Sequence, residues 1–225
     1  MAEKKLSGNI DRLFQQEKWD EARSVLEQER DKDPNNHWVL TQLGVTFYEQ
    51  RQYKEALQLF LASQKIVPDC PLTLWNVAGV LDSLGKYADA VRTYLWLLRN
   101  KKSPADDPCW ETEEWAETLK TDCMYRLGLC FQHLHKKREA GSCYRRYIDL
   151  LSIGIEGSYS FDDVMCHLRD LNGEVSTTRV ESEVRKAVNA TLQVSGIEPR
   201  KRPQDSPPEF DLREFFPGSL AASKK

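Results

Sequence analysis

From Trp38 to Pro68 the apolar positions fall three and four residues apart, in two runs separated by the polar pair Arg51-Gln52. That is the pattern of two amphipathic helices joined by a tight turn. The first run carries Leu43, Gly44 and Phe47, the second carries Ala56 and Phe60, and Pro68 closes the unit. The pattern recurs along the chain. Ala22, Ala56 and Ala90 are each 34 residues apart, and Ala140 lies 50 further on, one 34-residue step with 16 residues inserted. This period predicts three contiguous helix pairs, at about 3–36, 37–70 and 71–100, an insertion over 101–120, and a fourth pair at 121–151. Each pair has a first helix, A, and a second helix, B.

Packing explains why such positions repeat. Gly44, Ala78 and Gly128 stand where helix A must approach its partner closely, and Ala56, Ala90 and Ala140 are the small residues on the facing helix. Glycine weakens a helix by about 1 kcal/mol against alanine, so close contact has to offset that loss. Phe47, Phe60, Tyr94, Phe131 and Tyr144 are expected to fill the space between neighbouring units. In the first pair Asn9-Ile10 replaces the small residue; an end unit lacks one neighbour and tolerates the change.

The insertion begins KKSPADDP, which reads as a loop. It continues as ETEEWAETLK, which has no breaker and should extend helix A of the fourth pair backwards. Trp110 and Trp115 are either packed or exposed for a partner, and packing is the expectation. Ser160 with Asp163 suits the start of a further helix over 160–171, with Phe161, Val164, Met165, Leu168 and Leu171 on one face. It is expected to cover the last apolar face of the array. Residues 172–225 read as a weak helix opened by Thr178, then a polar, proline-rich, flexible tail.

Leu43-Gly44, Phe47, Ala56, Phe60 and Pro68 closely resemble the tetratricopeptide signature of Leu-Gly, an aromatic, Ala-x3-Phe and Pro. The resemblance covers roughly residues 3–151. It implies an all-α, right-handed α-solenoid of antiparallel helix pairs, four repeats with a C-terminal capping helix and a disordered tail. It also implies that helix A lines a concave groove that binds a peptide or helix of another protein. The stripe of helix A beside the packing positions carries Trp38, Thr41, Gln42, Val45 and Tyr48 in the second repeat, and Trp75 and Asn76 in the third. In the fourth it carries Tyr125, Arg126 and Gln132. These are the candidate peptide-binding residues; Trp38 and Trp75 either line the groove or complete the core. The lysine, asparagine and arginine set with which chaperone-binding members clamp a terminal carboxylate is absent at the matching positions, so no such clamp is expected.

Charge and composition narrow the picture. A formal net charge of −3 does not favour nucleic acid, and no apolar run reaches the length of a membrane span. The N-terminus has no apolar signal core, which reads as cytoplasmic. None of the six cysteines forms a C-x-x-C pair, so reduced, packed thiols are expected. Cys130 and His133 share a helical face but lack two further ligands, so no metal site is expected, and no cofactor. No catalytic constellation or phosphate-cradling loop stands out. The expectation is a non-enzymatic interaction scaffold, an adaptor or chaperone. The alternatives are a structural subunit joined through its convex face and tail, and a small secretion-type chaperone. The tail segment 207–217, PPEFDLREFFP, clusters three phenylalanines and a leucine and is expected to dock, in this chain's own groove or on a partner.

Overall fold

The computed structural model describes residues 2–100 and 102–172, and among these all regular structure is helical. They form two compact units, one ending at Gly85 and one beginning at Lys86. The helix read from Thr178 and the tail segment 207–217 lie outside the described residues.

The first unit holds α1 (Ala2–Gln15), α2 (Trp19–Lys32), α3 (His37–Glu49), α4 (Tyr53–Ile66) and α5 (Pro71–Ser83). Each helix packs on the next, and α3 also touches α5. Local chemistry sets the starts. Asn36 caps α3 by accepting from the Val39 N–H, and Pro71 opens α5, where its missing N–H is harmless. Ile10, Leu13, Ala22, Leu26, Val39 and Leu43 form a buried core against which Phe47 and Trp38 pack.

The second unit holds α6 (Tyr87–Arg99), a 3-10 turn at Pro108–Trp110, α7 (Glu113–His133), α8 (Lys137–Ser152) and α9 (Phe161–Asn172). Here α6 packs on α7, α7 on α8, and α8 on α9. The insertion supplies a loop and then the opening turns of α7, which Thr112 caps by accepting from the Trp115 N–H at 3.1 Å. Trp110 is fully buried, edge-on to Trp115 with ring centroids 6.4 Å apart. The Lys120 ammonium lies 4.8 Å over the Trp110 ring. Ser160 and Asp163 cap α9 reciprocally, at 3.1 and 2.8 Å.

The period seen in the alanines also runs through the backbone of the turns. Glu17, Arg51, Gly85 and His135 all have positive φ, between 55° and 69°. Each stands just past a first helix, at the same place in its repeat. In three of the turns the next residue's N–H reaches back five residues, as from Gln52 to the Phe47 carbonyl at 2.9 Å. This is the Schellman end of a helix, and it turns the chain into the second helix of the pair.

Candidate protein-binding face

In the first unit α3 shows solvent a stripe of half-buried side chains: Trp38, Gln42, Val45 and Tyr48. Tyr48 leans toward α5. Its hydroxyl accepts from Ser83 Oγ at 3.3 Å, and a Cβ on Gly79 would sit 3.8 Å from the same oxygen. Its ring tilts against Tyr53 at 5.6 Å. Burial, and then the neighbouring Tyr48, push the Tyr53 phenol above its ordinary range. On α5, Trp75 and Asn76 are half-buried, and the Asn76 amide donates back to the Leu72 carbonyl at 2.8 Å. Gln42, Val45, Tyr48, Trp75 and Asn76 carry no formal charge. They offer ring faces, an amide and an aliphatic contact.

Two expected groove residues are core residues instead. Thr41 is 1 % exposed. Its hydroxyl lies 2.7 Å from Ser63 Oγ and 2.9 Å from Thr73 Oγ1, and it donates to the His37 carbonyl at 2.9 Å. These three hydroxyls tie α3, α4 and α5 together and leave Thr41 nothing to present. Tyr125 is likewise 1 % exposed and sits within a ring cluster of Tyr144, Tyr147, Tyr159 and His167. The stripe assumption fails at Thr41 because it borders α4 and α5, and at Tyr125 because Tyr159, from the segment before α9, stacks over it. Trp38 packs on the core of the first two repeats and is half-buried.

The matching face of α7 is engaged by the chain itself. Tyr159 stacks on Tyr125 at 3.9 Å, and its hydroxyl accepts from Arg126 Nε at 2.7 Å. The Ser158 N–H donates to Asp122 Oδ1 at 2.8 Å. The Tyr147 hydroxyl donates to the Tyr159 carbonyl at 2.8 Å and accepts from the Tyr159 N–H at 3.0 Å. Gln132 accepts from the Tyr144 hydroxyl. Thus Arg126 and Gln132 already hold partners from their own unit. Sequence reasoning passed over residues 153–159. The signal was there: Gly154, Gly157 and Tyr159 place two small residues and an aromatic between the last repeat and α9.

Comparison with known proteins agrees with this geometry. Two tetratricopeptide-repeat family models match, one over residues 13–72 and one over residues 122–150. Anaphase-promoting complex subunit 6 of Arabidopsis thaliana is 29 % identical over 135 residues, 60 % of this chain. The chain spans only 23 % of that relative's length. A solved structure of MamA from Desulfovibrio magneticus RS-1, from residue 41 to its end, superposes with a TM-score of 0.57 at 16 % identity. The match covers 86 % of this chain and 93 % of that one. A second MamA crystal structure gives 0.52 at 15 % identity, covering 90 % and 100 %. At such identities the likeness shows the fold alone. Among the described residues no helix is long and apolar enough to cross a membrane. The repeated helix pairs, their small-residue contacts and the matched family models together make this chain an all-α tetratricopeptide-repeat protein, an α-solenoid of the interaction-scaffold class.

Proposed function

We propose that the chain is an adaptor that binds a peptide or helix of a partner protein along the α3–α5 face of its first unit, through Trp38, Gln42, Val45, Tyr48, Trp75 and Asn76. One contrast supports the reading. The α3 stripe stands half-open, whereas the equivalent stripe of α7 is filled by Ser158 and Tyr159 of the same chain. The way α7 receives that segment is a guide to the mode. A ring stacks on a ring, and side chains hold the backbone N–H and C=O of an irregular segment. On α3 and α5 the same parts are Tyr48, Trp75, Gln42 and Asn76. Because these side chains are uncharged, binding there depends on apolar area and aromatic anchors, and it weakens little with salt.

Gln42→Glu with Val45→Arg tests this, since both positions are half-exposed and outside the buried core. Co-purification of a partner from native lysate should be lost while the circular dichroism spectrum and melting curve stay as in the parent. Retention of the partner by the folded double variant removes the α3 face from the reading. A second reading is a structural subunit joined to a larger assembly through the outer faces of the second helices. The large apolar side chains exposed at Ile66 of α4, Trp96 of α6 and Ile153 after α8 favour it. Trp96→Glu and Ile153→Glu would then be the changes that release the partner.

A further inference from the structure

We infer that α7 carries a second peptide-binding site, held in this structure by residues 157–159 of the same chain, and that it takes a partner segment reading glycine, any residue but proline, then an aromatic. The seat lies wholly within the second unit, on α7 and α8. It reads the segment through its backbone. Asp122 accepts the Ser158 N–H, and the Tyr147 hydroxyl takes both the N–H and the carbonyl of Tyr159. None of these three bonds depends on the side chain that the segment carries. Two further contacts do. The Tyr159 ring stacks on Tyr125, with its hydroxyl held by Arg126 Nε. A Cβ on Gly157 would run into the Tyr147 phenol, 2.8 Å from its Cζ, and Tyr147 is fully buried and cannot move aside. An occupant therefore needs no side chain at its first position, a free N–H at its second and a ring at its third.

A segment that only covered the end of the array would bury carbon against carbon. Here a carboxylate that is 5 % exposed and a guanidinium hold an irregular stretch of backbone, which is the chemistry of recognising a peptide. Asp122 and Arg126 also occupy the repeat positions that Trp38 and Gln42 hold on α3, the half-open stripe of the first unit. The segment is free to leave. Residues 155–160 are half-buried, Ile153 and Gly154 are exposed, and Gly154 stands at φ 90°. Between Ser152, where α8 ends, and Phe161, where α9 begins, the chain reaches about 27 Å if extended, against about 8–10 Å between the axes of packed helices. That slack lets it swing off α7 while α8 and α9 stay together. The tethered segment competes at an effective concentration of about a millimolar, so only a partner that meets all three requirements displaces it. This inference is independent of the α3–α5 reading.

The test uses the full chain and a fluorescent, end-blocked peptide of residues 154–160, Gly-Ile-Glu-Gly-Ser-Tyr-Ser. Gly157→Ala in the protein pushes its own segment off α7 and leaves the seat unchanged. By fluorescence anisotropy this variant should bind the peptide at least about tenfold more tightly than the parent, in which the tethered segment competes. A peptide that itself carries Gly157→Ala should not bind. Arg126→Gln, added to the Gly157→Ala protein, should weaken the peptide several-fold. It should leave a Tyr159→Phe peptide unaffected, because that peptide has no hydroxyl to lose. Tyr159→Ala in the full chain repeats the test with the ring removed in place of the glycine. A variant with the parent's circular dichroism spectrum that fails to bind the peptide overturns the inference, as does equal binding of the Gly157→Ala peptide. If neither variant folds, the segment is part of the core and the inference falls as well.

Discussion

The Phe60 ring fills the place where a Gly44 side chain would be: a Cβ there would lie 2.4 Å from Phe60 Cε1. Tyr144 stands to Gly128 in the same way, again at 2.4 Å. Both rings are fully buried, so neither can swing into water to make room. Gly44→Leu therefore drives α3 off α4 and should cost at least the ~1–3 kcal/mol of ordinary overpacking. Gly44→Ala should already be destabilising, although alanine is the better helix former by ~1 kcal/mol. Chemical denaturation of both variants checks this; an alanine variant as stable as the parent would place the helix contact elsewhere.

That contact was legible in the sequence because it is periodic. Leu43-Gly44 and Leu127-Gly128 repeat with Ala56-x3-Phe60 and Ala140-x3-Tyr144, and a 34-residue step records a packing constraint that every pair must meet. The first pair departs from it at Ile10, and that side chain is nevertheless fully buried. What periodicity did not carry was the solvent side of the A helices. Thr41 and Gln42 are adjacent in the sequence, yet Thr41 faces Ser63 and Thr73 while Gln42 keeps part of its surface in water. Helical spacing gives a direction to within a residue or so; which neighbour lies in that direction is set by tertiary packing. Tyr125 was misplaced for a different reason. Its cover comes from Tyr159, in a stretch with no helical period to read.

The inter-helix turns predict opposite effects for opposite substitutions. Glu17 adopts φ 55°, a conformation that costs an L-residue about 1–2 kcal/mol and glycine almost nothing. Glu17→Gly relieves that strain but loosens the unfolded chain, for a net gain of about 0.5 kcal/mol. Gly85, at φ 69°, has no atom within 4 Å of an added Cβ. Gly85→Ala therefore meets backbone strain alone and should lose about 1 kcal/mol. Equilibrium unfolding in urea reads both, and the same sign for the two would contradict the turn geometry.

The hydroxyl trio predicts non-additivity. Thr41, Ser63 and Thr73 are each at most 1 % exposed and share their protons among themselves and the His37 carbonyl. Thr41→Val keeps the shape and leaves its buried neighbours short of a partner, at about 1–3 kcal/mol. Replacing all three, with Thr41→Val, Ser63→Ala and Thr73→Val, removes the unmet groups together. The triple variant should therefore cost clearly less than the three single losses combined. Strict additivity in thermal or urea unfolding would show that the three hydroxyls act separately.

Tyr147 links α8 to the segment before α9, and pH exposes that link. Its hydroxyl holds both the carbonyl and the N–H of Tyr159, and burial, reinforced by the charge of Asp122, pushes its ionisation far above the ordinary tyrosine range. In the unfolded chain the same phenol ionises near 10. Below that pH both states are protonated and stability does not depend on this group. Above it the unfolded state binds fewer protons than the native one, so stability falls by up to ~1.4 kcal/mol per pH unit. Tyr147→Phe should behave in two ways at once. At neutral pH it is less stable by about 1–3 kcal/mol, because the Tyr159 backbone groups lose their partner. Between about pH 10 and 11 its loss of stability with pH is shallower than the parent's, because the titrating group is gone. Urea unfolding of the two proteins across that range gives the difference directly, and cancels the lysines and other tyrosines common to both. Parallel slopes would mean that Tyr147 ionises freely in the native protein, and that the clasp on Tyr159 does not hold in solution.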